Sequence, residues 1–276
     1  MKSAAFEYIR PQSIAEASAA LAGDGVSAAI AGGQSLLPML NLRVAIVDLV
    51  VDIGRIEELK AVRETATGIE LGALTTHAAI EDGKVPDLFD GLMRHVAGQI
   101  SYRAVRNHGT LGGSLALADP AADWPACLMA LGASVRIAGR GGARSEPVAD
   151  FVQGAYATSL SPGEIVVGID LPRPPAPLRW GFAKVARKSG AFANSIALVT
   201  QQGRGGPATA VLGAAGSRPC RLPALEQRLS AGSADHAALR AAAADDIRAQ
   251  VPEADAYQQR MHAANVLRAV REMQSR

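Results

Sequence analysis

Two loops of one design, Ala31-Gly32-Gly33-Gln34-Ser35 and Thr110-Leu111-Gly112-Gly113-Ser114, constrain this chain more than any other feature of it. Glycine is needed where a backbone takes positive φ or must approach another group closely. Successive N–H groups freed in such a turn form an anion-binding concavity. The first loop lies between the apolar run Ala28–Ala31 and the segment Leu36–Leu42, which reads as strand, glycine turn and helix start. That order presents N–H groups to a phosphate. It is not a Walker sequence, because no Gly-Lys-Ser/Thr follows, and it does not fit the spacing Gly-x-Gly-x-x-Gly. The second loop is followed by two carboxylates, Asp119 and Asp123. If both loops meet one ligand, it is long and carries more than one phosphate, as a dinucleotide does. Ser35, Thr110 and Asp123 then suit its ribose or ribityl hydroxyls. Both pairs as structural turns is the alternative, and the residues alone leave the two readings equally open.

The rest of the chain reads as mixed α and β. Residues 4–9 predict a strand, followed by a helix with Ser13 as N-cap and Glu16 completing a capping box, stopped at Gly23. Ile46–Ile53 predicts a strand, and 59–65 with 68–74 a hairpin. Thr75-Thr76-His77 caps a helix, with His77 read as a packed imidazole before a ligand. Helices follow at 88–99 and 125–131, strands at 134–138 and 164–171, and a surface turn at 139–144. Pro172-Arg173-Pro174-Pro175-Ala176-Pro177 can neither continue a helix nor sit inside a central sheet, so the main boundary falls there. Beyond it, 180–186, 195–202 and 208–214 suit an antiparallel meander, and helices occupy 223–230, 234–249 and 255–273. The last helix presents Met261, Ala264, Leu267, Val270 and Met273 as an apolar stripe.

Composition narrows the function classes. A net charge of +2, from 28 basic and 26 acidic residues, gives no electrostatic case for nucleic acid. No run of about 18 apolar residues is present to span a membrane, and the charged N-terminus is not a secretory peptide, which predicts a cytoplasmic protein. Two isolated cysteines, Cys127 and Cys220, and five scattered histidines predict no metal site held by this chain.

The two loops, with Leu71-Gly72-Ala73-Leu74-Thr75-Thr76-His77, Ala118-Asp119-Pro120-Ala121-Ala122-Asp123-Trp124-Pro125-Ala126, Lys184-x-Ala186-Arg187 and Tyr257-Gln258-Gln259-Arg260, resemble the FAD-binding medium subunit of molybdenum hydroxylases. That group includes enzymes of the carbon monoxide dehydrogenase and xanthine dehydrogenase types. The resemblance covers essentially the whole chain. It implies an α+β fold: a two-part FAD-binding domain of the vanillyl-alcohol-oxidase type, residues 1–56 and 57–174. A small C-terminal domain, 175–276, follows with a three-stranded antiparallel sheet and helices. It also implies a cofactor site. Ala31, Gly32, Gly33, Gln34 and Ser35, with Thr110, Gly112, Gly113 and Ser114, would hold the FAD pyrophosphate. Asp123 would contact ribityl or adjacent hydroxyls, the backbone at Val166 the adenine side, and Lys184 would approach from the third domain. No residue is implied as catalytic on an organic substrate.

The implied partners are a large molybdopterin subunit and a small [2Fe–2S] subunit, as a dimer of heterotrimers passing electrons to an external acceptor. Two departures stand out: Gln34 where many members carry His, and Ala191 where an Asp precedes the aromatic residue, here Phe192. Two rival readings remain. One is a stand-alone flavin oxidase or reductase using His77 or His95 as acid/base, the other a non-catalytic nucleotide-binding scaffold.

Overall fold

The computed structural model describes residues 2–276. The chain opens with β1 (Glu7–Ile9), α1 (Ile14–Leu21), β2 (Ser27–Ile30), α2 (Leu36–Asn41) and β3 (Leu49–Asp52). The strands form a parallel sheet in the order β1-β3-β2. Consecutive strand residues point to opposite faces. Val51 therefore packs with Ala17 of α1, and Val50 with Leu40 of α2, so the central strand is buried on both sides. The strand expected over 46–53 begins only at Leu49, and Ile46 stands 64% exposed. Ser13 caps α1 as expected, by accepting from Glu16 N–H, but the Glu16 carboxylate reaches back to the Gln12 N–H, one residue before the cap. Two 3-10 turns, Ile53–Arg55 and Glu57–Lys60, lead into the next unit.

That unit contains β4 (Val62–Glu64), β5 (Gly68–Gly72), α3 (His77–Glu81), α4 (Leu92–Gln99), α5 (Arg103–Arg106), α6 (Leu111–Leu117) and α7 (Asp123–Ala130). It continues with β6 (Ser134–Gly139), β7 (Gly142–Pro147), α8 (Val148–Phe151), β8 (Val152–Gly154), β9 (Ala157–Thr158) and β10 (Ile165–Pro172). Five strands pair in the order β4-β5-β10-β6-β7, all antiparallel, and β8 pairs with β9. The surface turn expected at 139–144 narrows to Arg140-Gly141, because Gly139 already faces Gly142 across a hairpin.

The third unit has β11 (Leu178–Ala186), β12 (Ala193–Gln202), β13 (Ala208–Gly213), β14 (Cys220–Arg221), α9 (Pro223–Ser230), α10 (His236–Gln250) and α11 (Ala256–Ser275). The three expected strands are joined by a fourth of two residues, giving the order β11-β12-β13-β14. Alternation along β12 places Ile196 and Leu198 in a core shared with Trp124, Ala126 and Val96. Ala197 and Val199 face the helices α9 to α11 on the other side. One sheet face therefore seats directly on α7, and this brings β11 to the second unit.

The α11 stripe is buried at the expected Leu267, Val270 and Met273 and departs from expectation toward its N-terminal end. His262, Val266, Ala269, Val270 and Met273 are buried, whereas Ala264 is exposed. Capping of α9 is not local: its N-cap Leu222 contributes no side-chain bond, and the buried Asp246 carboxylate of α10 accepts from Ala224 and Leu225 N–H at 3.1 and 2.9 Å. Orphan N–H groups at a helix start need such partners. Asp246→Ala is expected to lower stability by about 1–3 kcal/mol, read by urea denaturation. A loss below a few tenths would show that water replaces the cap.

Candidate functional site

A cleft of about 940 Å³ runs between the three units, within the ~300–1,000 Å³ range of small-molecule sites. Its wall includes all twelve residues singled out from the sequence: 31–35, Thr110, 112–114, Asp123, Val166 and Lys184. The two glycine loops meet backbone to backbone at its centre. A Cβ built on Gly32 would lie 1.9 Å from the His108 carbonyl oxygen and 2.6 Å from its carbon, so only glycine permits this approach.

The loops do different jobs. In the first, the N–H groups of Gly32, Gly33, Gln34 and Ser35 have no acceptor among the described residues, and Gly33 takes φ +70°. In the second, every N–H from 111 to 114 is already used. Leu111 and Gly112 donate to the Thr75 and Ala73 carbonyls at 2.9 Å, Gly113 to Thr110 Oγ1 at 3.1 Å and Ser114 to Thr110 O at 3.0 Å. The reading of 112–114 as a second set of free backbone donors is thus corrected. These N–H groups close the first turn of α6 and tie it to the strand-end residues after β5. Thr110 is the N-cap of α6, so its hydroxyl oxygen is an acceptor already engaged. What this segment turns to the cleft are small side chains and hydroxyls, and it serves as a wall where the first loop serves as a cradle.

Asp123 opens α7 and Lys184 lies on β11, and the docking of the third sheet on α7 brings them together. Lys184 Nζ donates to Asp123 Oδ2 at 2.8 Å and to the Gln99 carbonyl at 3.3 Å, with both side chains almost wholly buried. Burial pushes the Asp123 carboxyl up, and the Lys184 ammonium opposes this. The other oxygen, Oδ1, is buried without a partner among the described residues, and such an atom calls for a donor. The sequence treated these two residues as separate contacts; they form one buried ion pair.

His77 is 5% exposed and lines the cleft. Its Nδ1 accepts from Trp124 Nε1–H at 3.0 Å. Burial, reinforced by the Arg106 charge, lowers its pKa to about 4. His95 is elsewhere, packed at a tilt against Trp180 and edge-on against Phe182, with ring centroids 5.2 and 5.5 Å away. Arg106 Nη1 donates to the Ile100 and Ser101 carbonyls at 2.9 Å while its other nitrogens grip Glu81, which holds Ser101 at φ +43° beside the cleft. The β11–β12 connection packs onto Ser101 through Gly190 and carries Phe192 to the rim. Phe192 is 67% exposed and so is not a core aromatic. Neither Ser101 nor Arg106 was given a role from the sequence, because Arg106 acts through a grip on Glu81 that spans 25 positions.

Glu164 forms another part of the wall. Arg144 Nε and Nη2 grip its two oxygens at 2.8 Å, and the pair holds the carboxyl down at about 2. A depressed acid stabilises the fold fully above its ordinary value near 4.5, and that contribution is lost as pH falls toward about 2. The stability gap between wild type and Glu164→Gln is therefore expected to be constant above pH 4.5 and to close below it, in acid-unfolding curves. A gap unchanged at low pH would contradict the assignment.

Residues 4–174 match the protein family described as the FAD binding domain in molybdopterin dehydrogenase. The chain belongs to that family. It is 38% identical over 207 residues to the carbon monoxide dehydrogenase medium chain of Afipia carboxidovorans, covering 73% of this chain and 70% of that protein. Identity to the nicotine 6-hydroxylase medium subunit of Paenarthrobacter nicotinovorans is 35% over 233 residues, covering 83% and 82%. A solved carbon monoxide dehydrogenase from Hydrogenophaga pseudoflava, lacking the Mo-pyranopterin moiety, superposes with a TM-score of 0.93 at 32% identity, covering 100% of this chain and 99% of that one.

The residues present fit FAD, the family's cofactor. Four free N–H groups at 32–35 suit a pyrophosphate, and the partnerless Asp123 Oδ1 suits a hydroxyl donor. Gln34 folds back so that Nε2 donates to the Gly32 carbonyl at 3.2 Å. It buttresses its own loop and brings no titrating group to it.

Proposed function

We propose that this chain is the FAD-carrying electron-transfer subunit of a three-subunit molybdenum hydroxylase or dehydrogenase. In this reading it accepts electrons from [2Fe–2S] clusters of a small subunit and passes them to an external acceptor. A large molybdopterin subunit carries out the hydroxylation. The observation that carries the proposal is the end-to-end superposition on carbon monoxide dehydrogenase together with the cradle at 32–35. FAD, when bound, supplies reversible redox chemistry able to link one-electron clusters to a one- or two-electron acceptor.

Within this reading the chain's own residues bind and orient. Gly32 to Ser35 direct N–H groups at the pyrophosphate, next to Ala31. Ser114 and Thr110 add hydroxyls beside Gly112 and Gly113, Asp123 accepts from a ribityl hydroxyl, Val166 borders the adenine side, and Lys184 holds the Asp123 carboxyl in place. The units 1–56, 57–174 and 175–276 act as two FAD-binding parts and a cap, a division supported by each unit having its own main sheet, of three, five and four strands. A dimer of heterotrimers in the cytoplasm is part of the proposal. Its solubility is supported by the absence, among the described residues, of any helix long and apolar enough to cross a membrane. The stand-alone oxidase reading loses support because His77 is held neutral and tied to Trp124, and His95 does not line the cleft.

The test is purification of the tagged chain from its own cells. Co-purifying subunits containing molybdenum and iron are expected, with flavin absorbance that bleaches when the complex's substrate is added anaerobically. Added FAD at a hundred times its Kd should stabilise the apo-chain by about 2.7 kcal/mol. A chain with no flavin and no stabilisation by FAD overturns the proposal. Rapid reduction by a small donor without partners favours the stand-alone enzyme, and AMP bound as tightly as FAD favours the scaffold.

A further inference from the structure

We propose that His77 is a fixed neutral hydrogen-bond donor to the cofactor's pyrophosphate, and that Trp124 is a positioning residue that sets its tautomer. The proposal rests on the FAD reading above and assigns a residue that the sequence treated as packing.

Three observations carry it. First, Trp124 Nε1 can only donate, so at 3.0 Å from His77 Nδ1 it makes that nitrogen an acceptor. The ring proton is thereby placed on Nε2. Second, Nε2 has no partner among the described residues, yet it is absent from the partnerless polar atoms sealed off from solvent, so it reaches the cleft that His77 lines. The side chain is otherwise enclosed, with 5% exposure. A donor so enclosed and facing one cavity needs an acceptor from the ligand that fills it.

Third, the ring edge is seated against the junction of the two glycine loops. A Cβ on Gly109 would lie 2.8 Å from His77 Nε2, and a Cβ on Gly32 would lie 3.0 Å from Gly109 Cα. Only Gly109 thus separates the imidazole edge from the loop whose free N–H groups form the anion cradle. Chemistry then chooses the acceptor. A pyrophosphate oxygen accepts a charge-assisted bond without itself needing to donate. The neutral state, favoured by burial and by Arg106, keeps this donor unchanged across physiological pH. The Gly109 backbone and the Trp124 contact also explain why this position takes a flat ring with two unlike nitrogens.

The test uses the deflavinated complex and its variants. His77→Phe keeps the ring and removes the donor, and is expected to weaken FAD about 10- to 100-fold, the size of a hydrogen bond to a charged group. His77→Gln keeps a donor and is expected to recover most of the loss. ADP should be weakened by His77→Phe in parallel with FAD, and riboflavin should not. Imidazole 15N NMR of the full wild-type chain is expected to report the Nε2–H tautomer, and Trp124→Phe to release it into a mixture. The NMR reading on wild type stands whether or not that variant folds. His77→Phe binding FAD as wild type does, riboflavin weakened in place of ADP, or a His77 protonated on Nδ1 would each overturn the inference. A wild-type complex that takes up no FAD would overturn the underlying functional reading instead.

Discussion

Gly32→Ala is expected to abolish FAD retention, while Gly141→Ala leaves it unchanged. The added methyl would sit 1.9 Å from the His108 carbonyl oxygen, a backbone atom that cannot rotate aside. The first glycine loop must therefore retreat from the second, and overpacking of this kind costs about 1–3 kcal/mol or more. Stability falls, but the larger consequence is geometric. The four N–H groups from Gly32 to Ser35 lie on a loop that leans on 108–109, and misplacing preorganised donors by about an ångström forfeits most of their effect. At Gly141 a Cβ would meet nothing within 4 Å, which makes it a control with the same chemical change. Flavin content per chain and thermal shift on adding FAD are the readouts. Normal flavin occupancy in Gly32→Ala would mean that the cradle lies elsewhere in the cleft.

The second large effect is expected at the buried ion pair. Asp123→Ala strands Lys184 with a single carbonyl partner, Gln99 O at 3.3 Å, and Lys184→Met strands the carboxylate. Removing one partner of a buried pair costs about 3–5 kcal/mol, because the remaining charge is uncompensated. The double variant Asp123→Ala with Lys184→Met is expected to lose much less than the two single losses combined, since it leaves no buried charge behind. A double-mutant cycle in urea gives the coupling directly. Additive losses would show that the two groups do not depend on one another. Asp123→Asn separates structure from binding: it keeps the shape, weakens the bond to Lys184, and is expected to lower FAD occupancy. Full occupancy in Asp123→Asn would show that its free oxygen does not serve the cofactor.

Legibility followed the range of the physics. The Gly32-Gly33 and Gly112-Gly113 loops, the Ser13 cap and the proline run after Pro172 are local backbone devices, and each was readable from neighbouring residues. Errors arose where tertiary packing overrode local pattern. Ile46 was assigned to a strand because it is apolar, yet it lies outside β3 and faces solvent. Ala264 fitted a helical stripe by spacing, and Leu267, Val270 and Met273 of that stripe are buried, but Ala264 itself is exposed while His262, Val266 and Ala269 are buried beside it. The cap of α9 comes from Asp246, on a different helix. The two glycine pairs looked equivalent as text and are not: one leaves its N–H groups free, and the other uses all of them inside the fold.

By itself, the sequence determined that two glycine loops, a set of small hydroxyls and a carboxylate at 123 were available for a long phosphate-bearing ligand. It also determined, through the resemblance those residues carry, which family to expect. Only the tertiary structure decided what each group has left to offer. It paired Asp123 with Lys184 across 61 positions and His77 with Trp124 across 47, which left one carboxylate oxygen buried without a partner and one ring nitrogen for the cleft. The physical reason is that glycine acts through its own backbone, whereas the charge, tautomer and free valence of a polar side chain are set by whatever the fold places beside it.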